Sequence, residues 1–172
     1  MKGPPVHMRS LAIAGILAVI IALLPATAHA DTGLRRDARG DAPSAIDITR
    51  VQYRHAPQTV SVRVRIPDLQ RRGRVLLRTT RFNIFEAGYI AELRIRRNGS
   101  LSKRLLYFDH FDVHPRRCAV GGSWNARAGV VRVSVPRACL DGHRRQHLYV
   151  DAISALGLRS DNAPAVKRLA RG

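Results

Sequence analysis

The sequence predicts an all-β protein: a single antiparallel β-sandwich, jelly-roll-like, behind an N-terminal signal helix. Three observations predict it. Apolar and polar side chains alternate with period two in about seven segments, as in strands with one buried face. Turn formers such as Pro67-Asp68, Asn98-Gly99-Ser100, Gly121-Gly122-Ser123 and Pro136 separate those segments at the regular spacing of a sandwich or barrel. No stretch after the leader sustains a helical stripe.

Residues 1–30 read as a cleavable signal peptide. Lys2 and Arg9 supply a positive n-region, Leu11 to Leu24 is an apolar run, and Ala28-His29-Ala30 places small residues where a signal peptidase reads. Asp31 is then the mature N-terminus. The run has about 14 residues where a bilayer span wants about 20, so an uncleaved signal anchor is the lesser alternative. Neither a twin arginine nor a nearby cysteine is present, which points to the general secretory route and, once the leader is cut, to no membrane attachment.

Residues 31–47 form an extended arm and first loop, because Leu34 to Ser44 is rich in charge, Gly and Pro. The sandwich occupies 48–162. Its clearest strand is Thr59 to Ile66, where Val60, Val62, Val64 and Ile66 alternate with Ser61, Arg63 and Arg65 until Pro67, which cannot donate to a ladder. Ile48 to Arg54, Arg74 to Phe82, Tyr89 to Arg96, Lys103 to Asp109, Val130 to Val135 and His147 to Ala155 repeat the pattern. Asn98-Gly99 is the sharpest hairpin signal, since that pair readily takes the positive φ angles of a primed turn. Residues 163–172 are a tail in which Ala163 to Ala170 either forms a helical turn or frays.

The chain holds 30 Lys and Arg against 12 Asp and Glu, a formal charge of +18, of which the leader removes only Lys2 and Arg9. A field of that sign attracts polyanions. Lys2, Lys103 and Lys167 are the lysines, and so strong an arginine bias also follows from a GC-rich genome without selection for binding. The two cysteines, Cys118 and Cys139, lie in the exported part, where an oxidising compartment favours a disulfide; two buried free thiols are the alternative.

The candidate sites follow from residue type and spacing. Arg63 and Arg65, Arg94 and Arg96, and Arg132 are outward strand positions. If their strands share a sheet they make one anion-binding face for phosphate or sulfate groups, and otherwise they are a solvated polar surface. Asp37, Asp41 and Asp47, with Gly40 between, offer the hard oxygen ligands that calcium prefers, and Asp161 near the other end could join them. Turns and salt bridges to the many arginines are the competing account of these aspartates. His110 with His114, and His143 with His147, share a spacing, but alternate strand residues about 7 Å apart strain ligation of one zinc. Glu86 and Glu92 carry no hydrolase motif, and Gly121-Gly122-Ser123-Trp124 lacks the nucleophile-elbow pattern. No catalytic constellation is therefore visible. Tyr53, Tyr89, Tyr107, Trp124 and Tyr149 could stack sugars if exposed, but core positions are the commoner use. No motif for specific nucleic-acid recognition is present.

Asp37-Ala38-Arg39-Gly40-Asp41, then Ile46-Asp47-Ile48-Thr49-Arg50-Val51 and a strand ending in Pro67-Asp68-Leu69, resembles small secreted actinobacterial proteins of uncharacterised function. Val135 to Leu140 and Asp161-Asn162-Ala163-Pro164 are similar to the endings of the same proteins. More distantly, the opening is similar to carbohydrate-binding family 9 and DOMON-like β-sandwich modules. The resemblance implies a β-sandwich with a disulfide in its C-terminal half and a structural calcium at the aspartates; it carries over neither a sugar site nor a heme ligand pair. The expected function is that of a secreted, non-enzymatic protein associating with anionic cell-envelope or extracellular polymers. A polysaccharide-binding (carbohydrate-binding) module and a hydrolase using Glu86 or Glu92 are the alternatives.

Overall fold

The computed structural model describes residues 31–81, 87–110, 112–140 and 146–172. The signal peptide, Glu86 and His143 lie outside the described residues. The strands are β1 (Asp31–Arg36), β2 (Arg50–His55), β3 (Thr59–Arg65), β4 (Gly73–Thr80), β5 (Gly88–Ile95), β6 (Leu101–Asp109), β7 (Asp112–Arg116), β8 (Gly121–Asn125), β9 (Val130–Pro136), β10 (His147–Leu156), β11 (Arg159–Asn162) and β12 (Val166–Ala170). They form two antiparallel sheets packed together. The first has the order β1-β2-β3-β9-β8 and the second β11-β10-β4-β5-β6-β7, with β12 also pairing with β10. Among the described residues no α-helix occurs, and no helix is long and apolar enough to cross a membrane.

Alternation makes the core. On β2, β3 and β9 every second residue is buried, and register aligns these in rows: Val51, Val64 and Val131; Tyr53, Val62 and Val133; His55, Val60 and Val135. Val75, Leu77, Leu93, Leu105, Val150, Ala152 and Leu169 of the second sheet complete the same cluster. β-branched valine dominates because its stiff side chain suits a pleated, buried face.

All seven strands expected from alternation are present. Five strands lie outside those seven, β1, β7, β8, β11 and β12, and three of them replace a different expectation. The N-terminal arm begins as β1, paired along its whole length with β2. Gly121-Gly122-Ser123-Trp124 is part of β8, paired antiparallel with β9, rather than a turn, and glycine is required at 122 because a Cβ there would lie 2.4 Å from the Arg132 carbonyl oxygen and 2.6 Å from a Leu93 methyl. The tail is neither helical nor frayed. It forms β12, whose Leu169 is fully buried, and Ala170 N donates to Asp31 Oδ2 at 2.9 Å, tying the last strand to the first. Gly33 permits that approach, since a Cβ there would sit 2.7 Å from Val166 Cγ2.

Cys118 and Cys139 form the expected disulfide. It links the connection between the sheets after β7 to the short 3-10 turn Arg137–Cys139 after β9.

Candidate functional site

The outer face of the first sheet is built from the residues that alternate with its core. Arg63 and Arg65 on β3 share that face with Arg132 on β9, and Arg63 and Arg132 are directly opposed across the ladder. Sequence alternation had singled out these three. Arg36 on β1 and Arg50 and Arg54 on β2 join them. Cross-strand register makes one row of Arg36, Arg50 and Arg65, and a second of Leu34, Gln52, Arg63, Arg132 and Ser123. A third runs through Thr32, Arg54, Ser61, Ser134 and Gly121. None of these rows contains a carboxylate.

The surface is troughed rather than flat. One depression of about 630 Å³ is lined by Leu34, Arg36, Thr49, Arg50, Gln52, Arg63 and Arg65. A second, of about 470 Å³, runs on from Gln52 and Arg63 past Arg54, Ser61, Ser123, Arg132 and Ser134. Together they cross the strands from β1 to β8. Arg65 Nη1 is steadied by the Ala128 carbonyl at 2.9 Å.

Arg94 and Arg96 are not part of this face. Arg94 lies on β5 and Arg96 just beyond it, in the second sheet, so the expected single surface of five arginines is divided. With Arg71, Arg72, Arg74 and Arg97 they line a separate depression of about 610 Å³ at the end of that sheet. Three arginines of the second sheet, Arg74 among them, stand against carboxylates. Arg104 clasps Glu92 through Nε at 2.9 Å and Nη2 at 3.2 Å, Arg74 stands 3.9 Å from Glu92, and Arg78 chelates Asp151. Glu92, the described member of the hydrolase pair, is thus buried and held in an ion pair.

The loop from 37 to 48, between β1 and β2, gathers the aspartates. Carboxylate oxygens of Asp41, Asp47 and Asp161 all lie within 4.8 Å of one another. Asp47 Oδ2 accepts from Gly40 N at 2.9 Å, and Asp161 Oδ2 accepts from Ile48 N at 2.6 Å, which fastens the loop to β11. Asp37 is held by Thr49, whose carbonyl accepts from Asp37 N at 3.3 Å. Its carboxyl is pushed up to about 6, mainly by burial and then by the charges of Asp161, Asp41 and Asp47, against the opposing Ala38 N–H. Asp161 is shifted up as well, by burial and by Asp41 and Asp47, with the Ile48 and Asn162 N–H groups opposing. Three of the four aspartates that sequence position suggested, Asp41, Asp47 and Asp161, are therefore in one cluster, and Asp37 is near enough to feel their charge.

The described histidines are not brought together. His110 takes φ 52° in the turn before β7 and contacts its neighbour Asp109, while His114 and His147 are exposed on separate strands. Among the described residues no histidine belongs to a group able to share an ion. Among the described residues the aromatic side chains named above form no exposed sugar platform. Tyr53 and Tyr89 are core, Tyr107 is partly buried between Tyr89 and Arg116, and Trp124 Nε1 donates to Gln70 O at 2.8 Å while its ring packs on the core. No protein-family model matches the chain, and no curated protein compared with it is similar.

Proposed function

We propose that this protein is an exported, non-enzymatic β-sandwich that binds linear anionic polymers along the arginine trough of its first sheet. The observation that carries the reading is the contrast between the two outer faces. On the second sheet arginines stand against Glu92 and Asp151; on the first, Arg36, Arg50, Arg54, Arg63, Arg65 and Arg132 face one another with no carboxylate between. Like charges directly opposite in a ladder oppose folding, and an external polyanion removes that repulsion. A guanidinium fork engages phosphate or sulfate bidentately. Strand geometry spaces the backbone positions that carry the forks about 4.8 Å apart across the sheet and about 6.8 Å apart along a strand, and the long side chains let the forks spread to follow a flexible polymer of closely spaced anionic groups. The interleaved Ser61, Ser123, Ser134 and Gln52 add neutral hydrogen-bonding groups.

The leader-like N-terminus and the disulfide support an extracellular setting, where wall and matrix polyanions are abundant. The test is retention of residues 31–172 on insoluble anionic cell-wall material and on neutral polysaccharide across a salt series. Retention on the anionic material that vanishes with salt is expected, because screening shortens the reach of exposed charges to about 8 Å at 0.15 M. Salt-insensitive retention on the neutral sugar, or none on either, overturns the reading.

A further inference from the structure

We propose that Asp41, Asp47 and Asp161, with Asp37 close by, form a binding site for a hard divalent cation, calcium by its chemistry. The first support is geometric. Oxygens on opposite sides of one calcium lie about 4.6–5.2 Å apart, and the carboxylate oxygens of Asp41, Asp47 and Asp161 all fall within 4.8 Å of one another. Asp37 lies outside that group but feels the charge of each of the other three.

The second support is independent of the clustering. Asp47 is only 6 % exposed, and while its Oδ2 accepts the Gly40 N–H, its Oδ1 has no hydrogen-bond partner. Asp37 Oδ2 is likewise buried and without a partner. Buried polar atoms are almost always satisfied, and a lone carboxylate oxygen in such a position calls for a cation or a proton.

The third is what the aspartates avoid. The chain carries 30 Lys and Arg against 12 acidic residues, yet among the described residues the ion pairs go to Glu92, Asp151 and Asp109, and none goes to this cluster. The salt-bridge account of these aspartates therefore fails where partners are most plentiful. An all-carboxylate donor set on a loop and a strand end, with no nitrogen or sulfur, is the chemistry of calcium rather than of zinc. A bound ion would join the 37–48 loop to β11, reinforcing the bond from Ile48 N to Asp161.

The experiment uses the protein stripped with a chelator and then titrated with calcium chloride, read by calorimetry and by thermal unfolding. Saturable binding and a rise in Tm of about 5 °C or more at saturating calcium are expected, because a ligand bound only to the folded state raises its stability. Asp41→Asn changes an exposed member and leaves the fold intact, and it should weaken calcium binding at least tenfold. Asp47→Asn should abolish it, and Asp68→Asn, an exposed aspartate outside the cluster, should leave it unchanged. Absence of binding to the stripped protein, or an unaltered response in Asp41→Asn, overturns the assignment.

Discussion

Replacing Arg63 and Arg132 together by threonine should make the protein more stable while making it a worse ligand for polyanions. The two side chains are exposed and directly opposed on neighbouring central strands. At a head-group separation of about 7 Å in water their repulsion is about 0.6 kcal/mol, inside the range of 0.2–1 kcal/mol measured for cross-strand pairs. Threonine also suits a strand better than arginine, so a net gain of about 0.5–1 kcal/mol follows, which is about 2–3 °C in Tm for a domain of this size. Binding moves the other way. Each lost contact with a phosphate is worth about 1 kcal/mol near 4 Å in water, so the double variant should bind long-chain polyphosphate about tenfold or more weakly at low salt. Its dependence of log affinity on log salt should be shallower by about 1.4, the share of two phosphate contacts on a single strand. The matched control is Arg104→Thr on the other sheet. There Glu92, 3 % exposed, keeps only Arg74 at 3.9 Å, and because Arg104 is itself half-exposed the loss is about 1–3 kcal/mol, with polyphosphate affinity unchanged. Urea unfolding and polyphosphate titration decide the matter: an Arg63→Thr/Arg132→Thr protein that is destabilised, or that binds as tightly as before, refutes the reasoning.

Removing the disulfide by Cys118→Ala with Cys139→Ala releases a loop with a sequence separation of 21 residues, and should lower stability by about 3 kcal/mol, or about 10 °C in Tm; an unchanged midpoint would mean the crosslink constrains nothing. His55 is fully buried with Nδ1 donating to Leu169 O at 3.2 Å, and burial, then Arg137 and Arg171, hold its pKa below the ordinary 6.5 against the Leu169 hydrogen bond and Asp31. The unfolded chain therefore takes up the proton first, so the contribution of His55 is whole above about pH 6.5 and is lost as pH falls below it. The difference in urea midpoint between the native protein and His55→Gln, followed from pH 7.5 to 5, should narrow on acidification; a constant difference would count against a neutral buried imidazole. Gly122→Ala places a methyl 2.4 Å from a backbone carbonyl that cannot yield, and a loss of about 1–3 kcal/mol by thermal unfolding is expected, whereas no loss would mean β8 is free to shift.

How much of this was legible in the sequence depends on period. β3 could be read residue by residue because Val60, Val62, Val64 and Ile66 keep strict alternation. β12 could not, because its buried residues, Val166 and Leu169, are three apart, which is a helical spacing. A bulge makes the strand possible: β10 pairs Leu148 with Leu169 but Val150 with Val166, so the register slips by one and both side chains turn inward. β8 was hidden for a different reason. Its glycines signal a turn by propensity, and the demand for them is a close approach by Leu93 and Arg132, which no local pattern encodes. Among the arginines, alternation marks which way a residue points but not which sheet its strand joins; Arg94 looks like Arg63 in sequence and lies in the other layer. Arg36 was concealed because β1 is a short edge strand inside a charged, Gly-containing arm. The aspartates were legible as a group because Asp37, Asp41 and Asp47 are neighbours in the chain, whereas Asp161 reaches them only through the pairing of β11 with β10.

The two sites are not independent pieces of surface. The 37–48 loop that carries the aspartates leaves the trough at Arg36 and re-enters it at Thr49 and Arg50, residues that line its larger depression. The hydrogen bond from Asp37 N to Thr49 O closes the neck of that loop. Ionised carboxylates at the neck lower the potential at the mouth of the trough, within the distance over which salt fails to screen them. A divalent cation on the aspartates would reverse part of that effect. Coupling of this kind is reciprocal by thermodynamic necessity: whatever calcium adds to the affinity for a polyanion, the polyanion adds to the affinity for calcium. A highly basic sandwich that keeps an acidic loop at the end of an arginine-lined face thus has a physical reason to place the two side by side.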